Sequence, residues 1–228
     1  MKGPRKRYMV SNINPNLSDE GKTKILKSFS IFEGVSDEDV WEFAKKMRAS
    51  VIHPLEIFVE EGFDDHLTYF VYKGVASLFR TTREGEIINI DVVGAPAIVG
   101  MSGLIDHKTS STSTMAIDEI QSLVLDQRDF QEMIPNYPRL TLNMMKVFAE
   151  RMHRFDIFIE ELLSKNLHDR TWHLLQYLSH YFQDNEIGLS HEELADLVWG
   201  TRSRVTEVLN KLEKEGKIKI SHRKVKIL

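Results

Sequence analysis

From Pro138 to Ser164 the sequence runs without a glycine, and without a proline after its first position. Within it Met145, Phe148, Met152, Phe155, Ile159 and Leu162 follow one another at steps of 3, 4, 3, 4 and 3. That is the spacing of a coiled-coil seam, so the stretch reads as one long helix. A second apolar set, Leu142, Val147 and Phe158, lies beside the first. A helix apolar on two faces can pack on its own domain with one and on a second copy with the other. The spacing therefore predicts a homodimer joined through residues 138–165.

On either side of this helix the periodicity changes. Upstream, residues 50–130 break into short β-like segments such as "TYFVYKGVASLFRTT", "EIINIDVV", "STSTMAIDE" and "IQSLVLD". Turn signals separate them at Phe63-Asp64-Asp65, Lys73-Gly74 and Arg83-Glu84-Gly85-Glu86. Many short strands at close spacing predict a barrel, jelly roll or sandwich. Residues 25–48 read as helices, with Ser36 and Asp39 at capping-box spacing before "VWEFAKKM". Residues 1–24 read as a polar arm. It is basic at its start but has no apolar core, so it is not read as a signal peptide. No uncharged run is long enough to span a bilayer. The absence of cysteine excludes disulfides, thiolate-held iron–sulfur clusters, cysteine zinc sites and a cysteine nucleophile.

Downstream, "TWHLLQYLSHYF" is an amphipathic helix. Ser190 and Glu193 then form a second capping box that opens "EELADLVW". Gly200 is expected to break that helix and Thr201 to cap the next one, "RSRVTEVLNKLEKEG", which stops at Gly216. The tail "KIKISHRKVKIL" alternates apolar and basic residues around Ser221-His222-Arg223-Lys224, as a two-stranded hairpin would. Helix, tight turn, helix and basic hairpin make a winged helix-turn-helix. Leu194, Ala195, Val198, Val205, Val208, Leu209 and Leu212 supply its core, with Ala195 small enough for the helices to cross closely. Thr201, Arg202, Ser203, Thr206 and Asn210 are left on the outer face, where such side chains bond base edges and phosphates. Arg202 suits guanine O6 and N7. Arg204, Lys211, Arg223 and Lys224 suit phosphates.

Charge points the same way. The net charge of −4 argues against a general polyanion binder. Residues 201–228, however, hold nine Lys and Arg against three Glu, a net +6, and the remainder carries −10. A basic end on an acidic body fits a localised nucleic-acid contact.

Taken in order, these elements resemble the CRP/FNR family of bacterial transcription regulators over nearly the full length. "EEGFDDHLTYFVYKGVASLF" and "REGEIINIDVVGAPAIVG" resemble the family's β-roll strands, and "LSHEELADLVWGTRSRVTEVLNKLEKEGKI" resembles its DNA-binding signature. The fold class expected is α+β. A double-stranded β-helix (β-roll or jelly roll) with flanking helices occupies 25–137. The dimerisation helix occupies 138–165 and a winged helix-turn-helix 166–228. The resemblance implies a cytoplasmic homodimer on duplex DNA, with no membrane contact, controlled by a small effector in the β-roll. If it activates, RNA polymerase is a further partner.

Two departures qualify what the family implies. Its better-known recognition helices read Arg-Glu-x-x-x-Arg, whereas this chain has Arg202, Ser203 and Glu207. Glu207 can accept from cytosine N4, sit in solvent or pair with Lys211. A different operator half-site is expected. Cyclic-nucleotide members carry Gly-Glu on one side of a phosphate loop and Arg-Ser/Thr-Ala on the other. Here Gly100 is followed by Met101, and Ser111 stands in place of the arginine. A cyclic phosphate loses its charged partner, so tight binding of cyclic AMP or cyclic GMP is not expected. Gly100, Met101, Ser102, Ser110, Ser111 and Thr112 are the candidate effector residues, suited to an uncharged hydrogen-bonding ligand.

Other functions stay open beside this one. Haem could be ligated by His53, His66, His107, His153 or Met101, although no histidine pair has a diagnostic spacing. A ligand-binding regulatory protein without DNA binding is another alternative. An enzyme is not expected, because no His-x-His, HExxH, P-loop, GxSxG or GxGxxG occurs.

Overall fold

A computed structural model describes residues 17–63, 66–101 and 109–228. The chain divides into two compact units, one of residues up to 78 with 93–152, the other of 79–92 with 153–228.

The first unit opens with helix α1 (Asp19–Leu26), capped by Ser18, whose Oγ accepts from Gly21 N at 3.2 Å. The polar arm expected over 1–24 is thus corrected from residue 19 onward. Leu26, buried completely, anchors this helix. Residues 1–16 lie outside the described residues. Helix α2 (Asp37–Lys46) begins at Ser36, which accepts from Asp39 N as its spacing predicts.

Among the described residues eight strands follow: β1 (Arg48–Ile52), β2 (Ile57–Val59), β3 (Leu67–Lys73), β4 (Val75–Thr81), β5 (Ile87–Gly94), β6 (Ala97–Val99), β7 (Ser113–Ala116) and β8 (Ile120–Asp126). They form two four-stranded sheets in the orders β1-β8-β3-β6 and β2-β7-β4-β5. In β3, Tyr69 and Val71 point to an inner core with Phe58, Ile120 and Val124. Phe70 points the other way, to a second core with Phe29, Phe32 and Phe43 from the helical segments. Opposite faces of one strand feed two cores. That is why β3 reads as a nearly unbroken apolar run rather than an alternating one. Helix α3 (Gln127–Met133) follows β8 directly, capped by Asp126.

Helix α4 (Pro138–Ser164) is the long helix. Leu140 and Met144 are buried, and Val147 and Phe148 pack on the helix-side core. Asn143 Nδ2 donates to the carbonyls of Ile31 and Glu33 at 3.0 and 2.7 Å.

In the second unit, helix α5 (Leu167–Ser179) starts at the N-cap Asn166. Strand β9 (Glu186–Ile187), helices α6 (His191–Val198) and α7 (Arg202–Lys214), and strands β10 (Ile218–Ser221) and β11 (Lys224–Ile227) complete it. The three strands form one sheet in the order β10-β11-β9. Leu175, Leu178, Leu194, Ala195, Val198, Val205, Leu209 and Leu212 are buried.

The apolar seam of α4 departs from expectation. Met145, Met152, Phe155 and Ile159 are exposed, but Phe148 is packed on the first unit's core and Leu162 is half-buried in the second unit. Leu142, assigned to the other set, is exposed, as is Leu163. The open stripe therefore keeps Met145, Met152, Phe155 and Ile159 of the predicted seam and adds Leu142 and Leu163. Phe148 is partly buried against the helix-side core, a contact that helical spacing alone does not encode. Phe158, from the second predicted set, stands edge-to-face on Trp199 at 5.1 Å.

Candidate nucleic-acid interface

The geometry begins at Ser190. Its Oγ accepts from Glu193 N at 3.2 Å, and Glu193 Oε2 accepts from Ser190 N at 2.7 Å. This reciprocal box fixes the start of α6. The helix ends at Trp199, which takes the left-handed conformation, φ 55°. The break expected at Gly200 is thus made one residue earlier. Gly200 serves a different need. A Cβ there would lie 2.9 Å from Leu167 Cδ1 and 3.0 Å from Val205 Cγ2, so glycine is what lets the turn seat on α5 and α7.

Thr201 then caps α7, its Oγ1 accepting from Arg204 N at 3.4 Å. Val205, Leu209 and Leu212 point inward. At 3.6 residues per turn, Ser203, Glu207, Asn210 and Lys214 fall opposite that stripe, with Arg204 and Lys211 on one flank. Thr201, Arg202, Ser203, Arg204, Glu207 and Asn210 are all exposed. Thr206 differs. It is half-buried, donates to Arg202 O at 2.8 Å and lies 2.9 Å from His191 Nδ1. Its hydroxyl ties α7 to the start of α6 and is already satisfied.

The wing comes from β10 and β11, paired antiparallel from Ile218↔Ile227 to Ser221↔Lys224. Arg223 and Lys224 sit at its tip, exposed. Both have acidic neighbours. Arg223 Nη2 is 3.9 Å from Glu193 Oε1, and Lys224 Nζ donates to Glu186 Oε2 at 3.1 Å. The Lys224 hydrogen bond holds the Glu186 carboxyl below the usual carboxylate range. Such exposed pairs are weak, about 0–1 kcal/mol, so a phosphate can displace the carboxylate.

Residues 52–137 match the cyclic nucleotide-binding domain family, and residues 169–228 match the Crp-like helix-turn-helix domain family. The chain belongs to the CRP/FNR family of transcription regulators. This CRP/FNR regulator is 25% identical to the cyclic AMP receptor protein of Thermus thermophilus, over 86% of its length and 90% of that protein's. It is 24% identical to the global nitrogen regulator of a Synechocystis species, over 70% of its length and 75% of the relative's. Its fold is similar to that of the c-di-GMP-responsive global regulator CLP of Xanthomonas campestris, with a TM-score of 0.70 at 19% identity, covering 84% and 99% of the two chains.

The described candidate effector residues of this CRP/FNR regulator have different surroundings. Met101 is 1% exposed and lies in the helix-side core with Phe70 and Leu123. A side chain committed to that core is accounted for by packing, so Met101 leaves the candidate effector set. Gly100 has φ +82°, and a Cβ there would lie 2.6 Å from Leu67 O. Its requirement is structural. Ser110 Oγ donates to Thr112 O at 2.7 Å, Thr112 is half-buried and Ser111 is exposed. Ser102 and His107 lie outside the described residues.

Two features escaped sequence reasoning. Asn89, 6% exposed on β5, donates through Nδ2 to Asp196 O at 2.7 Å. Trp199 Nε1 donates to Asn89 O at 2.8 Å. A polar residue in an apolar strand and a tryptophan beside the turn glycine were the available signals. Neither names its partner.

Proposed function

We propose that the chain is a homodimeric, sequence-specific DNA-binding regulator acting in the cytoplasm and governed by an effector other than a cyclic nucleotide. The observation that carries the DNA reading is the exposed start of α7. Arg202, Ser203 and Arg204 stand free of the core at the positive end of a helix, where cations are mildly disfavoured unless something negative faces them. The +6 terminal segment and the wing cations support the same reading. Arg202 reads a base, Ser203, Glu207 and Asn210 flank it, and Arg204, Arg223 and Lys224 take phosphates. Thr201 positions the helix start and Thr206 links it to His191. The open stripe of α4 pairs two copies.

The test is fluorescence anisotropy on a duplex recovered by binding selection. Arg202→Ala is expected to lower discrimination between the best site and its single-base variants by about 1–3 kcal/mol. Arg223→Ala is expected to weaken all sequences alike and to flatten the salt dependence by about one phosphate's worth. The reverse pattern would move base reading to the wing.

A second reading, control by a cyclic nucleotide, is favoured by the match of residues 52–137 to the cyclic nucleotide-binding domain family and by the likeness to a cyclic AMP receptor protein. Against it stand the missing arginine at Ser111 and the burial of Met101. The relatives' own names include a cyclic AMP receptor and a nitrogen regulator, so membership in the family does not fix the effector. A calorimetric titration with cyclic AMP separates the two, and saturation in the micromolar range would establish the second reading.

A further inference from the structure

The second unit contains a cavity of ≈ 290 Å³ that the DNA reading does not use. It lies between residues 89–92 of β5, the end of α4, helix α5 and the turn after α6. Its size suits one ring system with a small headgroup. Phe158 and Trp199 give it an aromatic corner, 5.1 Å between centroids and 88° between planes.

The polar groups are unevenly matched. Glu161 is taken up by Lys165 at 2.6 Å and His173 at 3.0 Å. Arg154 Nη2 stands 3.7 Å from Asp91 Oδ2, too long for a good hydrogen bond. Arg170 bonds only carbonyl oxygens through Nη1, Leu162 O at 3.5 Å and Lys165 O at 3.0 Å, and its buried Nε has no hydrogen-bond partner. Two guanidinium groups and two carboxylates therefore line the aromatic cavity, and one carboxylate, Glu161, is already taken up by Lys165 and His173. An anion beside Arg154 would give that guanidinium a closer partner, with Arg170 also on the cavity wall.

We propose that this cavity binds a small ring-bearing monoanion, its ring on Phe158 and Trp199 and its charge toward Arg154 and Arg170. The occupant touches Trp199, which Asn89 holds by its indole N–H and which immediately precedes Gly200 and the cap of α7. Occupancy is thereby read at the start of α7. This coupling rests on the DNA reading, whereas the binding itself does not.

The full-length protein is titrated with 8-anilinonaphthalene-1-sulfonate and with N-phenyl-1-naphthylamine, which has the same rings without the sulfonate. The anionic dye is expected to saturate at one per chain and to bind about tenfold more tightly than the neutral one. Arg154→Gln should narrow that gap. Ile157→Trp, at an exposed position on the cavity rim, should abolish the saturable site. Equal binding of the two dyes, or an unchanged stoichiometry in Ile157→Trp, would overturn the proposal. The latter is what dye on the open stripe of α4 would give. In a second arm, saturating anionic dye is expected to shift operator affinity by about fivefold. No shift in a protein that binds both dye and DNA would overturn the coupling. A protein that binds dye but no DNA would instead refute the DNA reading and leave the cavity assignment standing.

Discussion

Asp118 shows how one side chain can set a pH response. It lies in the turn between β7 and β8, and its Oδ1 accepts from Val75 N at 2.6 Å. Burial pushes its carboxyl above the ordinary carboxylate range, against the opposing pull of that N–H and of Lys73. The ionised form is thus the costly one in the fold. A raised pKa favours folding below the unfolded value, about 3.9, and that contribution is lost as pH rises through the higher folded value. Asp118→Asn retains an oxygen to accept from Val75. It is expected to unfold at a higher temperature than the parent at pH 7, with the advantage shrinking as pH falls toward 4. Paired thermal melts at the two pH values check this, and a constant difference would assign the shift to packing.

At the scale of elements, the two short helices of the second unit depend on their starts. Helix α6 spans only eight residues, too few to hold by propensity alone. The Ser190 box supplies partners for two of its first N–H groups. Ser190→Ala should cost about 1 kcal/mol, read as a lower urea midpoint at unchanged slope. Operator affinity should fall with it, because α7 is seated against α6 through the His191–Thr206 bond. A loss of affinity with no loss of stability would place Ser190 at the DNA instead. These caps were legible in the sequence because a cap depends on residues within one helical turn. The partner of Thr206 was not, since it lies on a different helix, fifteen positions away.

At the scale of the whole molecule, the proposed pairing of two copies rests on exposed apolar side chains of α4. Met145 and Met152 are 64% and 69% exposed on one face of α4. Large apolar side chains in line on a long helix are a surface awaiting a partner. Met145→Glu with Met152→Glu is expected to convert a dimer to a monomer in sedimentation velocity while leaving far-ultraviolet circular dichroism unchanged. A native dimer in that variant would place the interface elsewhere. The −10 of the rest of the chain against the +6 of residues 201–228 also favours DNA contact through that segment.

By itself the sequence determined the order of elements, the caps at Ser36, Ser190 and Thr201, the inward stripe of α7 and the basic wing. Each of these follows from signals that act over a few residues, namely backbone capping, helical periodicity and turn chemistry. Only the tertiary structure decided which face of α4 stays open, that Met101 packs in the helix-side core, that Trp199 rather than Gly200 ends α6, and that Asn89 finds its partners there. Those outcomes depend on which distant surface reaches a side chain first. Sheet pairing and core packing set that by bringing together residues that no local pattern connects.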